Sequence, residues 1–126
     1  GMIQDRKVDL TPVSHCVAKQ VHEWSQSRVG ENGFSNIGAV VGATYPNQAK
    51  QLREIMPTTF FLSPGVGTQG ADIKALIAAA SQNDSGIIIP ISRGITYIED
   101  KTIDLQGYKE AIRQNIIKYK ALINTT

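Results

Sequence analysis

At 126 residues with a net charge of +2, 41% hydrophobic and 19% charged residues, the chain has enough material for one modest domain. Lys, Arg, Asp and Glu are interspersed with no basic stripe, and aromatic residues are few, so composition argues against a nucleic-acid partner. The single Cys16 excludes an internal disulfide and points to a reducing, cytoplasmic setting, and no apolar run approaches the about 18–20 residues needed to span a membrane.

In chain order, residues 1–10 read as polar and irregular. Gly1 ahead of Met2 has the form of a cloning remnant, with Met2 expected as the natural start and no signal-peptide pattern after it. Thr11 is expected to cap a helix over 12–26 with Pro12 at its first position, and Val13, Val17, Val21 and Trp24 recur as one apolar face. His15 and His22, two turns apart, have no third ligand nearby, and Cys16 reads as a small helix-face residue. A Ser/Gly/Asn-rich loop follows. The continuous apolar run at 37–43 predicts a strand buried on both faces, as in parallel sheets. Pro46 opens a helix over 46–56 whose inner face is Ala49, Leu52, Ile55 and Met56, with Lys50, Arg53 and Glu54 expected on the solvated side.

A second strand at 59–63 runs into a glycine-rich turn, Pro64-Gly65-Val66-Gly67-Thr68-Gln69-Gly70. A helix over 71–81 comes next, then a turn at Asn83-Asp84-Ser85-Gly86 and a third strand at 87–91 ending in Ser92-Arg93-Gly94. A polar segment leads to a final helix over 107–122, with Tyr108, Ala111, Ile112, Asn115, Ile116 and Tyr119 at helical spacing and Lys118 and Lys120 as ordinary charges near its end. Alternating strands and helices with short connections predict an α/β fold, a parallel sheet of three βα units behind an N-terminal helix. Three strands leave two open edges, so a homo-oligomer is expected.

Small or polar residues stand at all three strand ends: Thr44, 63–69 and 92–94. In parallel α/β proteins this rim binds ligands. Glycines let backbone amides approach an anion, and the first amides of the next helix, expected to be unpaired, favour negative charge. Arg93, one strand away and about 4.8 Å across, can reach an anion held there and grip it in a bidentate manner. The same residues also fit a tight turn that binds nothing, with Arg93 paired to Asp72 or Glu99. The dinucleotide and Walker patterns are both absent: no acidic residue closes the next strand, and Ala71-Asp72 stand where Lys-Ser/Thr would be required.

Three segments in register resemble the orotidine 5′-phosphate decarboxylase family: Val40-Val41-Gly42-Ala43-Thr44, Pro64 to Gly70 with Asp72, and Ser92-Arg93-Gly94-Ile95. They look like that family's V-V-G-A-T, P-G-V-G-A-Q-G-G-D and S-R-G-I. The resemblance covers nearly the whole chain and implies the C-terminal half of a (β/α)8 TIM barrel. Family members convert orotidine monophosphate to UMP and carbon dioxide without a cofactor. By resemblance, Gly67, Gln69, Gly70, Arg93 and Gly94 would hold a 5′-phosphate, and Pro64 would line the pyrimidine side. The implied ligand is a nucleotide monophosphate or inorganic phosphate.

The family's D-x-K-x-x-D centre and its T-S-N segment are missing, Ala71 replaces a glycine and Pro90 an asparagine. Asp5-Arg6-Lys7-Val8-Asp9 is no substitute, because its second aspartate comes one residue early and no apolar strand precedes it. Lys50 and Lys74 fall on helices and face away from the rim by pattern. The chain is therefore expected to carry a phosphate grip with no catalytic residue and no metal site, and to be inactive alone. The alternatives are a self-associating structural module with a vestigial phosphate loop and, with less in its favour, a small phosphosugar enzyme that lacks an obvious base.

Overall fold

In the computed structural model, described for residues 3–66, 72–82 and 85–124, the elements run β1 (Lys7–Val8), β2 (Thr11–Pro12), α1 (Val13–Gln26), β3 (Gly38–Val40), α2 (Pro46–Ile55), β4 (Phe60–Leu62), α3 (Ile73–Ala80), β5 (Ile87–Ile88), α4 (Arg93–Thr96) and α5 (Leu105–Asn124). Strands β3, β4 and β5 form a parallel sheet in that order, with Ala39 beside Phe61 and Phe61 beside Ile87. The ladder continues past the strand ends, through Val41 N to Leu62 O (2.9 Å), Ala43 N to Pro64 O (3.0 Å) and Ser63 N to Ile88 O (2.9 Å). These bonds bring the C-terminal ends of the three strands side by side.

The N-terminal segment departs from the irregular stretch expected of it. β1 and β2 pair antiparallel around Asp9 and Leu10, both at positive φ. Thr11 lies in β2 and does not cap α1; Pro12 is the N-cap and supplies no side-chain bond. The hairpin does the capping instead, because Val13 N donates to Arg6 O (2.7 Å) and Ser14 N to Gln4 O (3.2 Å), satisfying two amides that have no partner within the helix.

Because side chains alternate along a strand, each register row marks one face of the sheet. Phe61 is fully buried, and Ala39 and Ile87 pack with it in a core completed by Ala49, Met56, Ile73, Leu76, Ile77 and Ala80 of the helical layer. The opposite row, Val40, Leu62 and Ile88, is 71%, 39% and 53% exposed. The expectation of strands buried on both faces therefore fails: helices cover only one face, and an apolar face lies open. On α1 the expected apolar stripe is also broken, since Val17 and Trp24 are exposed while Ala18 and Ser25 are buried. Val21 still packs against the core, where α1 meets α2.

Arg53 overturns the solvated-face reading of α2, for it is buried. Its Nε donates to Ala80 O (2.7 Å), Nη1 to Met56 O (2.9 Å) and Thr59 O (2.6 Å), and Nη2 to Gly86 O (2.9 Å). The guanidinium carbon lies 3.7 Å from the centroid of the Phe61 ring. Burial lowers its pKa to about 10, so it stays charged at neutral pH. The cation joins the ends of α2 and α3 to the starts of β4 and β5, at the end of the sheet opposite the rim. Gly86 has a φ of +85°, and a side chain there would strike Phe34 and crowd Arg53. The hydroxyls of Thr59 and Ser63, buried on the same face of β4, have no hydrogen-bond partner among the described residues.

Candidate functional site

The rim is built from three strand ends. At the first, Val41 and Ala43 are buried and Tyr45, the N-cap of α2, is exposed. At the second, Ser63 is buried and Pro64 exposed, and Gly65 has a φ of +104°. That angle belongs to a region a side chain would strain, so glycine is needed for the chain to leave β4 in this direction. Gly67, Gln69 and Gly70, together with Thr68 and Ala71, lie outside the described residues. At the third, Arg93–Thr96 forms the one-turn helix α4 with Ser92 as its N-cap, where a polar strand end was expected. Ser92 O accepts from Ile95 N (3.0 Å) and Thr96 N (2.9 Å), which closes the turn. Arg93 is exposed and Gly94 half-buried.

The structure thus brings Pro64, Gly65, Arg93 and Gly94 to the ends of neighbouring strands β4 and β5, as the sequence suggested. It also corrects one part of the anion argument. The first amides of α3 are not open: the Asp72 carboxylate caps the helix and accepts from Lys74 N (2.9 Å) and Ala75 N (3.1 Å). A carboxylate in that place already occupies the positive end of the helix. The N-terminus of α3 is therefore not an open anion site. Asp72→Ala is expected to cost about 1 kcal/mol in chemical denaturation, and Asp72→Asn to recover most of it. An alanine variant as stable as the parent chain would show that this cap carries no weight.

Sequence reasoning missed the residues behind the turn. From α5, Asn115 Nδ2 donates to Ile95 O (3.1 Å), Tyr108 Oη donates to Thr96 O (2.8 Å), and the Tyr119 ring lies where a side chain on Gly94 would project, its Cζ 2.9 Å from that position. Their spacing of seven and four was visible as helical periodicity, but nothing in it separates a polar anchor from a core residue. A cavity of about 640 Å³ lies elsewhere, against β3 between α1 and α2, lined by Val13, Val21, Val40, Tyr45 and Leu52 among others and by none of the predicted site residues. His15 and His22 sit on α1, and no cluster of three or more metal-ligating side chains occurs among the described residues. No helix among them is long and apolar enough to cross a membrane.

A parallel sheet whose polar turns, glycines and a single arginine gather at the C-terminal ends of its strands defines an α/β protein of the kind that binds ligands on that rim. Comparison with known proteins narrows the class. No family model matches the chain. It is 46% identical over 94 residues to the orotidine 5′-phosphate decarboxylase of Caldicellulosiruptor bescii, an alignment covering 75% of this chain and 31% of the relative. Against the orotidine 5′-phosphate decarboxylase of Rhodopirellula baltica it is 35% identical over 123 residues, covering 94% of this chain and 41% of the relative. Among solved structures it is similar to the OMP decarboxylase of Leishmania donovani, with a TM-score of 0.69 at 28% identity over 99% of this chain and 43% of that one. The UMP synthase of the same organism gives a TM-score of 0.68 at 31% identity, covering 25% of that chain. The chain belongs to the orotidine 5′-phosphate decarboxylase family and spans about a third to two-fifths of the length of these curated relatives.

Proposed function

We propose that residues 1–126 are a single partial domain, the C-terminal half of a (β/α)8 barrel, which retains the 5′-phosphate grip of a decarboxylase without its acid–base centre. The observation that carries this reading is the placement of the Arg93 turn at the end of β5, beside the Pro64-Gly65 exit of β4. In this reading Arg93 supplies a charge-assisted, two-pronged contact to phosphate. The Gly94 amide and the amides of Gly67 and Gly70 add neutral donors, Gln69 reaches the same oxygens, and Pro64 bounds the base. The ligand is a nucleotide monophosphate such as orotidine monophosphate or UMP, with inorganic phosphate as its minimal form.

Decarboxylation leaves a carbanion, which needs an ammonium to stabilise and protonate it and a carboxylate set against the departing group. Neither stands at a strand end here. Lys50 lies on α2 and Lys74 on α3, both on exposed positions in the helical layer. In a complete enzyme, phosphate binding would contribute remotely, through binding energy realised only in the transition state.

The test is a titration of the chain with UMP and with phosphate, followed by heat or by chemical shift. Binding that falls at least tenfold in Arg93→Ala supports the grip, and a charged contact of roughly 1.5–3 kcal/mol would produce a loss of that size or larger. Equal binding by the variant, or none by the parent, sinks it. Orotidine monophosphate absorbance should stay constant with the chain alone, and enzyme-like turnover would refute the missing-centre reading. One observation favours a second reading: the open face of Val40, Leu62 and Ile88 suits a self-associating structural module with a vestigial loop. In that case no phosphate binding would be found at all.

A further inference from the structure

We propose that α5 sets the position of Arg93, with Asn115 as the principal positioning residue and Tyr108 and Tyr119 beside it. This rests on reading the Arg93 turn as an anion grip. α4 is one turn long, too short to hold its own shape. Its last carbonyls have no partner within so short a helix, and two of them, Ile95 O and Thr96 O, are taken by side chains from α5. Tyr119 closes the third side by lying against Gly94, the one residue type that leaves room for the ring. Residues 108, 115 and 119 share one face of α5, so a single rigid helix fixes the turn at three points.

Asn115 is the most telling of the three because its bond is the part-buried one, while the bond from Tyr108 is exposed. Within the turn, Ile95 N, Thr96 N and Thr96 Oγ1 donate to Ser92 O, and Tyr97 N donates to Arg93 O at 2.9 Å. Those bonds stay within the turn, whereas the bonds from α5 tie it to a long helix. A guanidinium at the end of a long side chain grips in a bidentate manner only if its Cα is fixed, since a tilt of the turn moves both donors together.

The test compares the parent chain with Asn115→Leu and Asn115→Gln in two measurements. The first, amide hydrogen exchange, needs no ligand. Leucine at 115 should speed exchange at Thr96 and Tyr97 by roughly three- to tenfold, the loss expected of one hydrogen bond. Leu76 and Ser81, whose amides lie in and just after α3, should not change, whereas a general loss of stability would move them too. Glutamine, which keeps the amide donor, should restore most of the protection. The second measurement is UMP titration, where leucine should weaken binding by a similar factor and glutamine should recover it. Unchanged exchange at Thr96 and Tyr97 in Asn115→Leu overturns the proposal, as does faster exchange with undiminished UMP affinity. If the parent chain binds neither UMP nor phosphate, the grip reading falls and the binding role of α5 falls with it. The exchange measurement then still separates that failure from a failure of α5 to hold the turn.

Discussion

Exchanging Arg53 for methionine is expected to lower the stability of the chain by about 3–5 kcal/mol, enough to leave it largely unfolded at ordinary assay temperatures. Methionine matches much of the volume but removes the hydrogen bonds of 2.6–2.9 Å to the carbonyls of Met56, Thr59, Ala80 and Gly86, of which Gly86 O keeps Phe61 N (2.8 Å) and Met56 O keeps Thr59 N (3.4 Å). A buried carbonyl left with no donor costs about 1–3 kcal/mol. A whole domain is stable by only about 5–15 kcal/mol, and a sheet covered on one face starts toward the lower end. Arg53→Lys should fall between, since a single ammonium cannot serve acceptors spread around a planar fork. With its pKa at about 10, Arg53 is charged throughout pH 6–8, so the loss should be equal at both ends of that range. Urea denaturation followed by circular dichroism measures it. A methionine variant with the midpoint of the parent chain would mean that the clamp is dispensable.

The parent chain is expected to self-associate at micromolar concentration, and lysine at both Val40 and Leu62 is expected to abolish that association. These two residues and Ile88 form a row across the open face of the parallel sheet. Burying a large aliphatic side chain is worth about 1.5–3 kcal/mol, so losing two and adding two charges should weaken association by more than about a hundredfold. Sedimentation velocity reads this directly. The fold of the variant should be unaffected, because both side chains point away from the core that holds Phe61. A parent chain that sediments as a clean monomer would show that this face has no partner in a second copy. It would then favour cover by other parts of a longer protein, consistent with the 57% of the Leishmania donovani OMP decarboxylase chain that the similarity leaves uncovered (43% covered).

Much of this architecture was legible in the residues. Continuous apolar runs bounded by glycine and proline marked three strands, and the spacing of Ala49, Leu52, Ile55 and Met56 marked the helix between two of them. The alternation of the two element types implied parallel pairing, which the ladder from β3 to β5 follows. The apolar runs extend beyond the strands themselves, as at Ile37 and Ile91. The N-terminal hairpin was invisible because neither Asp9 nor Leu10 advertises a positive φ. The turn at Arg93 was missed because four residues are too few to show a period. Asp72 could have been recognised as a cap from its place just before Ile73, and that single residue changes where an anion can sit.

The amino-acid order alone determined the α/β class, the family resemblance and the clustering of Pro64, Gly65, Arg93 and Gly94 at neighbouring strand ends, because periodicity and glycine spacing are local properties. Only the tertiary structure decided that Arg53 is buried, that one sheet face is uncovered and that α5 holds the Arg93 turn. Each depends on which distant backbone carbonyls and side chains are brought within about 3 Å of one another. Helical spacing places Arg53 on a face of α2, but whether that face meets water or four carbonyl groups is set by residues up to 33 positions away.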